Sequence, residues 1–305
     1  MQFINKTILF SLVVIFSVLL RSLGAEEPRT FETEEVRVLY EEPLRVGAEE
    51  AANIYPAIKR DLEEIFQWHI NARPTILLIR RSETFQRMAG SKMIVAFALP
   101  RKNLVVIDYS KMKTDPFTIE ATIKHEMCHL LLHHHIKNEN LPKWLDEGLA
   151  QWASHGISEI IMNRERSHLK EATLAGRYIG IRSLSNRFPM DRDAISLAYE
   201  ASRSFVEYII SEHGIDGIQR VLGHLKDGND PDEAILKGLS TSIDELEGAW
   251  HEDLRKRITW VTFVINHLYE ILFFIAALIM IYGFIKGFLK KRAYMREDEN
   301  DGPAP

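Results

Sequence analysis

The stretch "TIKHEMCHLLLHHH", Thr122–His135, places five histidines and one glutamate in fourteen residues that otherwise have the pattern of an apolar helix. His125 and His129 are four residues apart, so on a helix they diverge by only about 40° and lie one turn apart on one face. Two ring nitrogens on that face can reach one ion. Glu126 lies about 60° from His129 on the same side, close enough to hydrogen-bond an activated water. The pattern is H-E-x-x-H, in which the glutamate is the base of a zinc hydrolase.

This motif is short and also occurs by chance in helices, so it requires an apolar helix around it and a third ligand. The apolar positions are Ile119, Ile123, Met127, Leu130, Leu131 and Leu132. The candidate third ligand is Glu147 in "LPKWLDEGLAQW", 18 residues beyond His129, where Pro142 suits the first turn of a new helix. Two imidazoles and one carboxylate leave the fourth tetrahedral position to water, which is the catalytic rather than the structural zinc arrangement.

"HEMCH" followed by "LPKWLDEGLAQW" resembles the gluzincin metallopeptidases, in particular the peptidase MA-like family of bacterial exported proteins. The thermolysin and aminopeptidase groups, whose second motif is W-L-x-E-G, are more distant relatives in this respect. The resemblance covers roughly Pro74 to Leu254. It implies zinc bound by His125, His129 and Glu147, with Glu126 as general base and acid. It also implies an edge strand in "IVAFALPRKNLVVID" that lines the cleft and pairs with the substrate backbone.

Three further residues follow from the same resemblance or lie near its ligands. Tyr199, in "AYEASRSFVEYI", lies where the family has a tyrosine, which implies donation to the oxyanion formed on the scissile carbonyl. The alternative is an aromatic side chain packed in the core. Asp146 and Gln151 are near enough to Glu147 to hydrogen-bond the ligands from outside, or they are plain surface residues.

The other reactive side chains of the opening stretch have simpler interpretations. His133 continues the ligand face by one turn and either lines the cleft or belongs, with His134 and His135, to a solvated last turn that suits the helix dipole. Cys128 lies about 60° off the ligand face. We interpret it as a small core residue, with a thiolate ligand as the alternative. As the one cysteine, it cannot form an intramolecular disulfide.

Composition excludes several other functions. The 305 residues are 46% hydrophobic and 27% charged, enough for one large domain or two small ones. A net charge of -5 provides no basic surface for nucleic acid. The sequence has no Gly-rich phosphate loop and no G-x-S-x-G elbow, so the chemistries that need them are excluded.

The N-terminus indicates export. Thr7–Leu20, "TILFSLVVIFSVLL", is an apolar run of signal-peptide length behind Lys6. Residues 1–24 are therefore predicted to be a signal peptide cleaved near Gly24. The alternative is an uncleaved anchor helix, and in both cases the following residues are exported.

A second apolar segment lies near the C-terminus. Leu268–Phe288, "LYEILFFIAALIMIYGFIKGF", has 21 residues, which matches the roughly 20 that cross a bilayer core. A buried core helix is the alternative. Basic residues follow at Lys290, Lys291 and Arg292, so the positive-inside rule predicts that residues 289–305 are a cytoplasmic tail.

The predicted exported domain is residues 25–257. Its first part has helical spacing in "GAEEAANIYPAIKRDLEEIFQW" and three strand-like runs, "PTILLI", "MIVAFAL" and "NLVVID". From Pro116 onward the pattern is helical, and "DAISLAYEASRSFVEYIISEHG" is predicted to stop at Gly214. The predicted fold class is α+β: a gluzincin-like zincin fold with a small N-terminal sheet, an active-site helix and a mainly helical C-terminal part, plus one transmembrane helix.

The leading functional hypothesis is a zinc-dependent peptidase in the cell (inner) membrane, single-pass, with its catalytic domain extracytoplasmic. Exported or membrane proteins are its expected substrates. The sequence has no G-x-M-E-N motif of the kind with which aminopeptidases hold a free amine, so an endopeptidase is favoured over an aminopeptidase. The competing hypothesis is a non-catalytic zinc-binding assembly module, against which the intact Glu126 argues.

Overall fold

The computed structural model of this chain describes residues 28–112, 114, 116–137, 139–155, 167–266 and 268–300. The predicted signal peptide, residues 1–24, lies outside the described residues, as do the last five residues of the predicted cytoplasmic tail. The chain divides into two compact units, with the boundary between His251 and Glu252.

The first unit begins with a mixed sheet. Its five strands among the described residues are β1 (Arg29–Glu32), β2 (Arg37–Tyr40), β3 (Thr75–Ile79), β4 (Ala96–Leu99) and β5 (Leu104–Asp108). The strand order is β1-β2-β3-β5-β4, in which β2, β3 and β5 are parallel and the two outer strands run antiparallel to their neighbours. The three strand-like runs of the sequence form β3, β4 and β5, and β4 is an edge strand, where the sequence predicted one.

Along the described part of the chain, two α-helices lie between strands of the sheet and the other α-helices follow the last strand. In chain order those of the described residues are α1 (Arg45–Phe66), α2 (Ser82–Ala89), α3 (Ile119–His135), α4 (Lys143–Ala153), α5 (His168–Leu174), α6 (Arg192–Lys226), α7 (Pro231–Leu239), α8 (Ile243–Asn266) and α9 (Leu268–Asn300). Most lie after the sheet, so the prediction of an α+β fold with the sheet first and the helices after it is confirmed.

Alternation along the strands gives the sheet two apolar faces. Leu77 and Ile79 on β3 and Val106 on β5 form one face with Phe85 of α2. Helices α1 and α3 contact each other, α1 contacts β1 and β2, and α3 contacts β4 and β5. The helix that carries H-E-x-x-H therefore lies against the sheet beside its edge strand.

The helical half is held together by an aromatic cluster. The rings of Trp144 on α4 and Phe205 on α6 lie 5.1 Å apart, and Phe205 lies 5.3 Å from Trp250 on α8. All three side chains are fully buried, which fixes α4 against the rest of the helices. Helix α6 is broken at Gly214, whose φ of 69° is left-handed, so the predicted stop is confirmed, although a second helical stretch follows at once.

The second unit contains the end of α8 and the whole of α9. The segment that the sequence predicts to be transmembrane, 268–288, falls within α9. Across the described residues, no helix combines the length and the apolar composition that crossing a bilayer requires, so the transmembrane prediction is not supported here.

Candidate metal centre

Helix α3 forms because its local signals agree. Thr118 precedes the first turn, and its Oγ1 accepts a hydrogen bond from the Ala121 backbone N–H at 3.2 Å, which caps the helix. His125, Glu126 and His129 are at most 5% exposed as whole residues, although all three side chains are polar. A buried polar stripe of this kind requires partners in the protein or a bound ion.

Each residue of the second motif, "WLDEG" from Trp144 to Gly148, has a separate contact. Trp144 packs in the aromatic cluster, and Leu145 is buried. Asp146 and Glu147, both buried, turn toward α3. A Cβ on Gly148 would lie 2.5 Å from the Ser202 backbone oxygen of α6, so only glycine permits this approach of the two helices. The motif therefore packs α4 against α6 and also supplies the ligand Glu147.

The three predicted ligands meet at one point. The Nε2 atoms of His125 and His129 are 3.2 Å apart, and Glu147 Oε2 lies 3.8 Å and 3.7 Å from them respectively. A point about 2.1 Å from all three atoms lies at the centre of this triangle, and zinc bonds to nitrogen and oxygen are about 2.0–2.2 Å long. The spacing therefore fits one metal ion.

The carboxylate of Glu147 is arranged for such an ion. Lys143, one turn earlier on α4, donates to Oε1. Within the described chain Oε2 accepts no hydrogen bond and is buried, facing the two imidazoles. Burial alone raises the pKa of Glu147, but the charges of Lys143 and the histidines outweigh it and lower that pKa, so the group is a carboxylate. A cation at the common point would satisfy the remaining oxygen.

Asp146 orients the second imidazole. The Nδ1–H of His129 donates to Asp146 Oδ1 at 2.6 Å, which leaves Nε2 directed at the common point. Burial lowers the pKa of His129, but the charges of Asp146 and Glu147 raise it to about 10. The centre thus attracts positive charge strongly, and a metal ion on Nε2 would supply it in place of a proton.

A family model described as the Peptidase MA superfamily matches residues 89–256, more than half of the chain. The chain belongs to the Peptidase MA superfamily. No curated protein matches it in sequence. The matched segment contains β4, α3 and α4, and hence the cluster of His125, His129 and Glu147. Family and cluster together identify the chain as a metallopeptidase.

In this Peptidase MA superfamily member the imidazole of His125 also has a contact at Nδ1, the ring nitrogen that does not face the common point. Ser154, directly after α4, is fully buried, and its Oγ lies 3.4 Å from His125 Nδ1. The same hydroxyl donates to the Ala150 backbone oxygen at 2.7 Å, so it is available to accept from the imidazole N–H. Both metal-facing nitrogens are therefore Nε2 atoms.

Two further buried side chains of α3, those of Glu126 and Cys128, lie near the ligands. Glu126 is fully buried beside the ligands, and its charge contributes to the raised pKa of His129. Burial raises the pKa of the Cys128 thiol well above its usual value, so the side chain is a neutral core residue, as the sequence suggested. It is unsuited to be a thiolate ligand.

Tyr199 and Gln151 connect α4 with α6. Tyr199 is 3% exposed and packs edge-on against Phe188 at 5.0 Å, so the alternative of core packing describes its ring. Its predicted donation to an oxyanion remains a prediction. Gln151 Nε2 donates to the backbone oxygens of Glu147 and Tyr199, so it supports the ligand helix without reaching the ligand carboxylate.

Two contacts of the ligands were not predicted from the sequence. Ser154 and Lys143 were not singled out, although Lys143 stands four residues before Glu147, the usual spacing of a helical ion pair. Asp146 was expected either to hydrogen-bond a ligand from outside or to lie at the surface, and it is buried and bonds His129. For His133 the sequence left open a position in the cleft or in a solvated last turn; its side chain is 18% exposed, and its Nε2–H donates to Asp146 Oδ2 at 3.0 Å.

Proposed function

We propose that this chain is a zinc-dependent endopeptidase of the gluzincin type. The observation that carries the proposal is the triangle of His125 Nε2, His129 Nε2 and Glu147 Oε2, with Glu126 buried beside it. Two imidazoles and a carboxylate also suit iron(II), but a glutamate next to the first ligand in H-E-x-x-H favours zinc hydrolysis.

The chemistry assigns a distinct task to each side chain. Bound zinc supplies a Lewis acid that makes a water molecule acidic near neutral pH. Glu126 takes a proton from the attacking water and returns it to the leaving amine, and burial of its carboxylate keeps that proton in the site. Tyr199 is proposed to donate to the oxyanion, as the resemblance implies.

The substrate is proposed to be an extended peptide segment. Strand β4 is at the edge of the sheet, α3 packs against it, and an edge strand offers unpaired backbone groups to a peptide. Binding along a strand does not require a chain terminus. Together with the missing G-x-M-E-N motif, this supports cleavage inside a chain rather than removal of single N-terminal residues.

We also propose that the peptidase is exported and tethered to the membrane by residues 268–288. The support comes from the sequence, in which an apolar run follows Lys6 and basic residues follow Phe288. The large apolar side chains of this segment are also exposed, including Phe273 and Phe284, each at 76%. Exported or membrane proteins held near the bilayer would then be the substrates.

The proposal is tested with the full-length chain purified in detergent and loaded with zinc. We expect it to cut an unfolded protein at internal bonds, to stop after chelation and to resume when zinc is restored. The Glu126→Gln variant should keep its zinc and fail to cut. Cleavage that survives both chelation and this substitution would remove the metal centre from the activity.

A further inference from the structure

A hydrogen-bonded chain runs from His129 through Asp146 to a third residue, His133, which is not a metal ligand. Its Nδ1–H donates to Asp146 Oδ1 at 2.6 Å, and Asp146 Oδ2 accepts from His133 Nε2–H at 3.0 Å. His133 lies one turn beyond His129 on α3, so one carboxylate on α4 bridges two histidines of α3. The side chains of His129, Asp146 and His133 are 7%, 5% and 18% exposed, respectively.

This geometry gives His133 control over the direction of the Asp146 carboxylate. A carboxylate with one donor rotates easily about its last torsion, because that torsion has a broad energy minimum. A second donor on the other oxygen fixes the plane of the group. Asp146 Oδ1 is the atom that orients His129, so the direction of the His129 ring depends on both donors.

The electrostatics of Asp146 agree with this arrangement. Its side chain is buried, and its two oxygens accept hydrogen bonds from two different imidazole N–H groups, as an ionised carboxylate does. The group is thus an anion in a nearly dry environment. A buried anion that loses one of its donors relaxes toward any other partner within reach.

We propose that His133 is a positioning residue for the metal centre, acting through Asp146 to hold the His129 ring with its Nε2 directed at the metal. The inference rests on the proposed function in so far as the centre binds zinc. His133 itself is separated from the common point by Asp146 and His129. Its removal should weaken metal binding and leave the three ligands in the chain.

The test uses four variants of the full-length chain, with the zinc dissociation constant measured by chelator competition. His133→Leu removes the donor, and His133→Asn keeps polarity but retracts the donor from Asp146. His133→Gln places an amide N–H near the position of the imidazole Nε2–H. His134→Leu is the matched control, since His134 is the neighbouring histidine and is exposed.

We expect the leucine and asparagine variants to bind zinc about tenfold more weakly, the lower end of the effect of removing a hydrogen-bond partner outside the ligands. The glutamine variant and His134→Leu should remain within about twofold of wild type. Thermal unfolding of the metal-free proteins and the visible spectrum of cobalt-loaded samples separate positioning from packing. A role in packing alone would lower the metal-free Tm without changing zinc affinity or the cobalt spectrum.

Three outcomes would overturn the inference. The first is unchanged zinc affinity in both the leucine and the asparagine variants, and the second is a glutamine variant as weak as the other two. In both cases wild type still binds zinc, so the proposed function stands. The third is a wild-type chain that binds no zinc, which overturns the proposed function together with this inference.

Discussion

Asp146 and Glu147 are adjacent in the chain, yet they approach the two nitrogens of one imidazole from different sides. Asp146 Oδ1 accepts from His129 Nδ1–H at 2.6 Å, and Glu147 Oε2 lies 3.7 Å from His129 Nε2. One dipeptide of α4 therefore both orients a ligand of α3 and completes the metal centre. The geometry of the metal centre consequently depends on how α4 packs against α3.

The metal ligands give the first prediction. His129→Ala or Glu147→Ala should reduce the zinc content of the purified chain from about one ion to near zero, because two remaining ligands bind zinc weakly. Elemental analysis after dialysis measures this. His134→Ala, on an exposed neighbour, should keep its zinc. Full zinc content in both ligand variants would show that the ion binds elsewhere.

The second prediction concerns the general base. Glu126→Gln should bind zinc as wild type does but lower kcat by about 10²–10⁴-fold, the usual contribution of general acid–base catalysis. Steady-state cleavage of an unfolded protein, with zinc content measured on the same sample, provides the comparison. A variant that turns over normally would exclude Glu126 from proton transfer.

Tyr199 is the subject of the third prediction. Tyr199→Phe keeps the ring that packs against Phe188 and removes only the hydroxyl. If that hydroxyl donates to the oxyanion, kcat should fall about 10²–10³-fold, while KM, zinc content and Tm stay close to wild type. Unchanged kcat would leave Tyr199 as a core aromatic residue and nothing more.

The fourth prediction concerns the glycine of the second motif. Gly148→Ala would place a methyl group 2.5 Å from the Ser202 backbone oxygen, so we expect a loss of about 1–3 kcal/mol in the free energy of unfolding. The control is Gly248→Ala on α8, where nothing lies within 4 Å, and helix propensity should stabilise the chain by up to about 1 kcal/mol. Urea unfolding of both variants measures the difference. Equal stabilities would show that α4 and α6 separate at no cost.

Topology gives the fifth prediction. The positive-inside rule and the predicted signal peptide predict that residues 25–257 lie outside and the tail inside. Protease added to the outer face of the membrane should degrade the catalytic domain and spare an epitope placed after Pro305. The reverse pattern would mean that the orientation, and with it the class of exported substrates, is wrong.

Much of the centre was predictable because its signals are local. His125 and His129 share a face through the helical period alone, and Glu147 is marked by the tryptophan, leucine and glycine around it. The stop at Gly214 and the strands β3 to β5 follow from equally local patterns. Where a few neighbouring residues determine the local geometry, the sequence was sufficient to predict it.

The contacts that could not be predicted are those set by packing between elements. The sequence offered a bond from Asp146 to a ligand but did not tell which ligand, and it did not predict the bond between Asp146 and His133, because both depend on how α4 packs against α3. Strands β1 and β2 were not predicted, because pairing between distant parts of the chain defines them: β1 pairs with β2, and β2 pairs with β3.

His129 on α3 and Glu147 on α4 are 18 residues apart, and a cation bound to both would close the chain between them much as a disulfide would. Cys128 is the one cysteine of the chain, so no disulfide inside the chain can take this part. Zinc bound there would therefore add to the stability of the native state, by about 2.7 kcal/mol when free zinc is at 100 times its dissociation constant. Starving the cell of zinc would then do more than switch off catalysis: it would shorten the lifetime of the protein.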